Sequence, residues 1–253
     1  MVFFCNPKIN LGLEILRRRP DGYHDLQSVF YPWKAQEEVL EIHESSEFSL
    51  HLHGLPLDIP TETNLVTKIY RTFAAAYQLP PVRIDLLKTV PTGSGLGAGS
   101  ANAAAALLGL NTYFELDLSL ETLHEWALRF GSDIPFFLRN TPQFVTGRGE
   151  HLEDFELDLS NYTIEVIFPG IPVSTAEAFA GIQPRGSRFS DLRSILRRPV
   201  ETWRADLVND FETPIFARHP SIAQAKNDLY NRGALYASMS GTGSAVFGIF
   251  AKS

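Results

Sequence analysis

The chain has 253 residues, 44% of them hydrophobic, and a formal net charge of −7. That length suits one large domain or two smaller ones with a sizeable core. The acidic balance argues against a general nucleic-acid or membrane-surface binder, so an anionic ligand needs local positive charge and backbone N–H groups.

A single cysteine, Cys5, excludes an internal disulfide and agrees with a reducing compartment. Pro7 and Lys8 interrupt the short apolar start, so no signal peptide is read. The longest apolar stretch, around Ala103 to Leu110, is too short to span a bilayer. The expectation is a soluble cytoplasmic protein.

Val2 to Leu16 reads as an extended segment broken at Asn6-Pro7. Asp21-Gly22 is a turn signal, and Ile9–Ile15 and Asp25–Tyr31 on either side predict a hairpin with a long loop. Val39–His43 and Phe48–His53 alternate as half-exposed strands. His43, His51 and His53 fall at polar positions of that alternation without a carboxylate or cysteine at ligand spacing, so they are read as surface histidines rather than metal ligands. Thr63 or Asn64 caps a helix to about Tyr77, ended by Pro80-Pro81.

Val82–Leu87 then alternates like a strand and leads into Pro91-Thr92-Gly93-Ser94-Gly95-Leu96-Gly97-Ala98-Gly99-Ser100-Ala101. The four alternating glycines reach φ > 0 cheaply and carry no Cβ to block a ligand. A helix follows through Leu108, with Ser100 as the expected N-cap. Strand, glycine loop and helix N-terminus bring exposed N–H groups and the helix dipole to one place, which suits a phosphate. The bland alternative is a flexible loop that only lets a helix pack closely on a sheet. No Gly-Lys-Ser/Thr follows, so it is not a Walker A loop. Gly93 to Ala98 matches a relaxed dinucleotide fingerprint, but Pro91 and Thr92 intervene after the strand and no βαβ series surrounds it.

Ser119 caps a helix through Phe130 with Leu120, Leu123, Ala127 and Leu128 on one face, and Gly131 ends it as a C′ glycine. Ser132 to Leu138 starts another short helix. After about Thr146 the character changes. Thr163–Phe168 is a strand ending at Pro169-Gly170. Ser174–Ala180 is a short helix, and Gln183–Ser190 a polar, mobile loop. Helices are read near Val200–Val208 and Ser221–Asn231. Leu235–Met239 and Ala245–Phe250 are strands joined by Ser240-Gly241-Thr242-Gly243-Ser244. Strands early and helices afterwards favour α+β over a doubly wound sheet.

Pro7-Lys8-Ile9-Asn10, the glycine loop, Gly131-Ser132-Asp133-Ile134-Pro135 and the turn at Gly241 form the chemical constellation. Each has a plain reading: a surface lysine, a packing loop, a helix cap, a hairpin turn. Together with Arg19-Pro20-Asp21-Gly22-Tyr23-His24, they resemble the kinase superfamily of galactokinase, homoserine kinase and mevalonate kinase, the GHMP kinases. The resemblance runs over nearly the whole chain, and Asp21–His24 points to the branch acting on a cytidine-diphosphate-linked methylerythritol.

The resemblance implies a two-domain α+β fold, 1–146 for ATP and catalysis and 147–253 for substrate, with the active site in the cleft between them. It implies transfer of the γ-phosphoryl of ATP to the 2-hydroxyl of 4-diphosphocytidyl-methylerythritol, in non-mevalonate isoprenoid precursor synthesis. Pro91 to Ala101 would hold ATP. Gly241, Thr242 and Gly243 would support the cleft. Asp133 would be the base, Lys8 would stabilise transferred charge, and Asn10 would orient the acceptor. Tyr23 and Phe179 would stack on cytosine while His24 reads its edge. Phe179 reads equally as a core residue on a short helix. Mg²⁺ is expected with the phosphates. Ala98 and Ala101 stand where the family commonly has glycine and a second hydroxyl, so no side-chain metal ligand is assigned. The implied partner is this small molecule, with no nucleic acid or membrane, and the protein is a monomer or homodimer. The rival readings are another small-molecule kinase of the superfamily, a catalytically silent nucleotide-binding regulator, and a dinucleotide-binding oxidoreductase.

Overall fold

The computed structural model describes residues 1–56, 60–186 and 189–252. The chain opens with β1 (Val2–Cys5), β2 (Lys8–Arg18), β3 (His24–Pro32), β4 (Glu38–Glu44) and β5 (Ser49–Gly54). Next come α1 (Leu65–Tyr77), β6 (Val82–Lys88), α2 (Ala98–Tyr113), α3 (Leu120–Phe130) and α4 (Ile134–Arg139). There follow β7 (Gln143–Thr146), β8 (His151–Asp154), β9 (Tyr162–Ile167), α5 (Thr175–Ala180) and α6 (Leu192–Leu196). The chain closes with α7 (Trp203–Asp206), α8 (Glu212–Arg218), α9 (Pro220–Asn231), β10 (Tyr236–Met239) and β11 (Val246–Ala251). The fold class is α+β, as expected, but strands are not confined to the start of the chain: β6 to β11 follow the first helix, and β10 and β11 close it.

Two compact units share these elements. The first comprises Met1–Pro7, Lys34–Thr92 and Gly97–Asn140; the second comprises Lys8–Trp33, Gly93–Leu96 and Thr141–Ser253. The second thus takes in Lys8–Trp33, which a linear division at residue 146 assigns to the N-terminal half.

In the first unit the sheet runs β1-β4-β6-β5, with β5 parallel to β6 and the other pairs antiparallel. His53 and His43 lie around Asp85 on this sheet, with His53 Nε2 2.9 Å from Asp85 Oδ1. Helix α1 begins where Asn64 Oδ1 accepts the Val66 N–H at 2.9 Å. It buries Val66, Ile69, Tyr70 and Phe73 along one stripe. Each such side chain contributes about 1.5–3 kcal/mol. Helix α2 is buried on nearly every side, and its small residues let the sheet approach closely. A Cβ at Gly109 would lie 2.9 Å from Ile42 Cδ1.

Three local expectations change here. Helix α2 starts at Ala98, so Gly97, in the left-handed region at φ 69°, takes the cap position and Ser100 lies inside the first turn. Gly131 ends α3 at φ 171°, extended rather than left-handed, because the chain runs straight on into α4. Leu128 is exposed, and Trp126 joins Leu123 and Ala127 on the buried face. Trp126 meets Phe73 edge-on, and its Nε1–H donates to the Tyr77 hydroxyl at 3.1 Å.

The second unit holds the sheets β2-β3-β7-β8 and β10-β11-β9. The hairpin of β2 and β3 forms as the turn signal predicts, with a register shift between Leu11 and Leu13. That bulge centres on Gly12 at φ 67° and switches which face later residues occupy. Lys8 and Asn10 therefore share a face with Leu13 and Ile15, which enter the core beside Phe211, Ile215, Met239 and Val246.

Helices α6 and α8 lie in stretches without an apolar period. They are short and held by burial of Leu192, Ile195, Leu196 and Ile215. The helix read at Val200–Val208 resolves into a 3₁₀ turn, Val200–Thr202, and α7. Part of the expected mobile loop, residues 187–188, lies outside the described residues. Its first part is pinned: Arg185 N–H and Gly186 N–H donate to Ile15 O and Leu16 O, each at 2.9 Å. The Arg185 guanidinium also forks onto Asp210 and lies 2.9 Å from Glu14.

Candidate active site

Lys8 and Asn10 open β2 two residues apart, hence on one face of the strand. Both are buried. The Lys8 ammonium donates to Asn10 Oδ1 at 2.6 Å and lies 4.1 Å from the centre of the Phe30 ring. Asn10 Nδ2 donates to Ser28 Oγ at 3.1 Å, and Ser28 Oγ donates to Gly12 O at 2.6 Å. This chain fixes the amide, so its oxygen faces the ammonium. Burial of a charge requires such partners.

Ser240, just before the second glycine turn, joins this group to the first. Its Oγ accepts from Asn10 N–H at 3.3 Å and donates to Gly95 O at 3.1 Å. Ala245 N–H donates to Ser94 O at 3.0 Å, and Lys8 N–H to Leu96 O at 2.9 Å. Three successive loop carbonyls are thus turned into the protein. Asn209 Nδ2 braces the second turn through Met239 O at 2.7 Å and Gly241 O at 2.9 Å. Gly243 packs against Met239, while Thr242 is half-buried. Ser240 opens the second glycine turn that the sequence shows, whereas Ser28 carries no motif and nothing in the sequence singles it out.

The two glycine turns touch backbone to backbone. A Cβ at Gly95 would lie 2.1 Å from Ser240 O, whereas one at Gly93 meets nothing within 4 Å. Both glycines have positive φ, which costs about 1–2 kcal/mol for another residue. Gly95→Ala is therefore expected to lose on the order of 2–5 kcal/mol once overpacking against backbone is added. Gly93→Ala should lose only the conformational part yet weaken nucleotide binding, because its Cβ enters open space beside the loop. Denaturation midpoints and ATP titrations of the two variants check this contrast; equal stability losses would refute it.

In the first unit, the α2 N–H ladder starts with Ala101 N–H donating to Gly97 O at 2.9 Å. The N–H groups of Ala98, Gly99 and Ser100 precede that ladder. They stand at the positive end of the helix dipole, an arrangement that receives anions. Pro91, Thr92 and Gly99 are exposed, and a Cβ at Gly99 meets nothing within 4 Å. Ala101, unlike Gly99, is buried, and it lines a cavity of about 190 Å³ with Phe3, Cys5 and Phe137. Cys5 is no nucleophile, since burial pushes its thiol up to about 12.

Asp133 occupies the cap position of α4 with helical backbone angles, φ −82° and ψ −15°, and makes no capping hydrogen bond. The helix it precedes is held instead by the burial of Ile134, Pro135, Phe136 and Phe137. The carboxylate is thus not used as a cap.

At the start of β3, Asp21 Oδ1 accepts the Tyr23 N–H at 3.1 Å and Gly22 turns at φ 86°. Tyr23 is 57% exposed, so it is not a core residue. The Arg148 guanidinium lies 4.7 Å from the Tyr23 ring centre. His24 stacks on Phe179, with centroids 4.8 Å apart and planes at 23°. The structure so pairs Phe179 with His24 and Tyr23 with Arg148. Phe179 also meets Phe211 edge-on at 4.9 Å and packs on the core of its unit. Burial, and then the Arg18 charge, hold His24 below the ordinary imidazole pKa, so the ring is neutral at pH 7.

Residues 64–141 match the GHMP kinases N terminal domain, and residues 191–253 the GHMP kinases C terminal family. The chain is 45% identical over 252 residues to the 4-diphosphocytidyl-2-C-methyl-D-erythritol kinase of Parabacteroides distasonis, covering 100% of this chain and 92% of the relative. It is 46% identical over 254 residues to the enzyme of that name from Bacteroides thetaiotaomicron, covering 99% and 92%.

The chain belongs to the 4-diphosphocytidyl-2-C-methyl-D-erythritol kinase family of GHMP kinases.

A crystal structure of a 4-(cytidine 5'-diphospho)-2C-methyl-D-erythritol kinase matches with a TM-score of 0.83 at 30% identity, over 98% of this chain and 90% of that one. Streptococcus pneumoniae phosphomevalonate kinase matches with a TM-score of 0.70 at 12% identity, over 100% and 93%, and shares the fold alone. Membership in the GHMP kinases makes the chain an ATP-dependent kinase. The N-terminal match takes in the helix-opening glycine loop and Asp133, and the C-terminal match the turn at Gly241.

Proposed function

We propose that this chain phosphorylates the 2-hydroxyl of 4-diphosphocytidyl-2-C-methyl-D-erythritol with ATP, in the cytoplasm. What carries the reading is the near-full-length identity with kinases of that name. The site chemistry supports it. Loop N–H groups from Gly93 to Ser100 hold the ATP phosphates. Asp133 takes the proton of the acceptor hydroxyl, and Lys8 offsets charge on the transferred phosphoryl group. Asn10, held by Ser28, orients the acceptor and the ammonium together. The catalytic part is assigned to residues 1–146 and the remaining substrate contacts to 147–253.

Mg²⁺ bound with ATP supplies neutralisation of phosphate charge. Among the described residues no group of three His, Cys, Asp or Glu side chains is arranged to hold a metal. Mg²⁺ is commonly held by one or two protein oxygens with phosphates and water, and Ser100 offers the hydroxyl in the first turn of α2. The donor set therefore fits an ion that arrives with its nucleotide. No helix among the described residues is long and apolar enough to cross a membrane.

The cytidine end is read by Tyr23, His24 and Phe179. Stacking of a base on an aromatic ring is worth about 1–3 kcal/mol, so Tyr23→Ala is expected to raise KM for the cytidine substrate on the order of tenfold. KM for ATP and the melting temperature should stay put, because Tyr23 is exposed. A neutral imidazole offers one donor and one acceptor, so His24→Ala should blunt discrimination of cytosine from uracil. Unchanged cytidine kinetics in both variants would remove this part of the site. The whole reading is tested by incubating the protein with Mg-ATP and 4-diphosphocytidyl-methylerythritol, mevalonate or homoserine. ADP should form with the first alone; ADP with another acceptor and none with the first overturns the assignment.

A further inference from the structure

A buried ion pair lies at the base of the glycine loop, and none of the roles above uses it. Glu38, on β4, is fully buried, and Lys88, the last residue of β6, and Asn102, in the second turn of α2, are nearly so. Glu38 Oε1 accepts two N–H bonds, from Thr89 at 3.1 Å and Val90 at 3.0 Å. Its Oε2 pairs with the Lys88 ammonium and accepts from Asn102 Nδ2 at 2.8 Å. Lys88 Nζ also donates to Asn102 Oδ1 at 2.8 Å. One carboxylate thus grips both the strand end that leads into the loop and the helix that leaves it.

A buried ion pair is weak evidence of stability, since apolar residues of similar volume often serve as well or better. Its geometry here has another consequence. The loop contains three glycines at positive φ, at Gly93, Gly95 and Gly97, and glycine backbone is the least restrained. Backbone N–H groups bind a phosphate well only when they are held in place beforehand. We propose that Glu38, with Lys88 and Asn102, is a positioning residue for ATP: it clamps both ends of the glycine loop so that its N–H groups meet the phosphates. This rests on the reading of the loop as the ATP site.

Two doubly neutral variants separate the clamp from the charge. Glu38→Gln with Lys88→Met keeps an acceptor for Thr89 and Val90 and, once the Asn102 amide turns over, puts its Nε2–H on Asn102 Oδ1. Glu38→Leu with Lys88→Met has the same charge and no clamp. ATP affinity is read by direct titration, and KM for ATP and for the acceptor by steady-state kinetics, each beside the melting temperature. The leucine variant is expected to bind ATP at least tenfold more weakly with the acceptor KM within twofold of the parent, and the glutamine variant to bind ATP like the parent. Parental ATP affinity in the leucine variant, or equal losses in both, overturns the proposal. If the leucine variant does not fold, Asn102→Ala replaces it: a rise in ATP KM of threefold or more with the acceptor KM unmoved supports the clamp, and no rise overturns it. A parent that binds ATP but leaves the cytidine acceptor untouched removes the assigned acceptor, while the clamp stays measurable by titration.

Discussion

Asp133→Asn is expected to fold like the parent chain and to turn over about 10²–10⁴-fold more slowly, the usual contribution of a general base. The fold half of this expectation comes from α4. Asp133 stands at its cap position without a capping hydrogen bond, and the helix rests on four buried side chains with Pro135 in the first turn. Asparagine also retains an oxygen there, so the helix start is undisturbed. The rate half comes from chemistry: an amide cannot take the proton of the acceptor hydroxyl. Turnover and melting temperature of the purified variant decide between the two roles. A parental rate would reduce Asp133 to a structural residue and overturn the mechanism; a large loss of stability with a proportionate loss of activity would do the same.

Lys8→Met is expected to lower turnover on the order of 10³-fold or more, as removal of a cation from a transferring phosphoryl group does elsewhere. ATP affinity should fall far less, because loop N–H groups rather than Lys8 bear the phosphates. Methionine fills similar volume but leaves the buried Asn10 Oδ1 without its donor, so stability should fall by about 1–3 kcal/mol, too little to account for the loss of rate. Arginine in this place should not rescue, because its planar fork does not fit a slot built for a compact ammonium. Single-turnover rates and ATP titrations make the distinction. Preserved turnover at saturating ATP with weakened binding would assign Lys8 to binding instead. Combined with Asp133→Asn, the two losses should fall well short of additive, since groups acting on one transfer step behave as a unit. Full additivity would place them in separate steps.

Much of the local structure is legible because it is decided within a few residues. Asn64, Ser119 and Ser174 cap helices through N–H groups two or three positions on. The Asp21-Gly22 turn and the alternation of β2 and β3 define a hairpin. The meeting of Lys8 and Asn10 is legible too, because two residues on a strand share a face. The Glu38–Lys88 pair had a readable signal that charge alone hides. Glu38 shares its parity with Leu40 and Ile42, and Lys88 with Ile84 and Leu86, so both point into the core with opposite signs.

Other features belong to tertiary structure because their partners are far apart along the chain. Ser240 reaches Gly95 across 145 residues, and Glu38 reaches Asn102 across 64. No local propensity encodes either distance. The bulge at Gly12 is equally invisible, since one extra residue exchanges the faces of a strand without altering its composition. Whether Phe179 is a core residue or a base-stacking one was open on the sequence; its packing against Phe211 on one side and His24 on the other was set by partners distant along the chain. Local bonds set the elements, then, while the placing of Lys8, Asn10 and the glycine loop on one hydrogen-bonded frame waited for strands distant in sequence to meet.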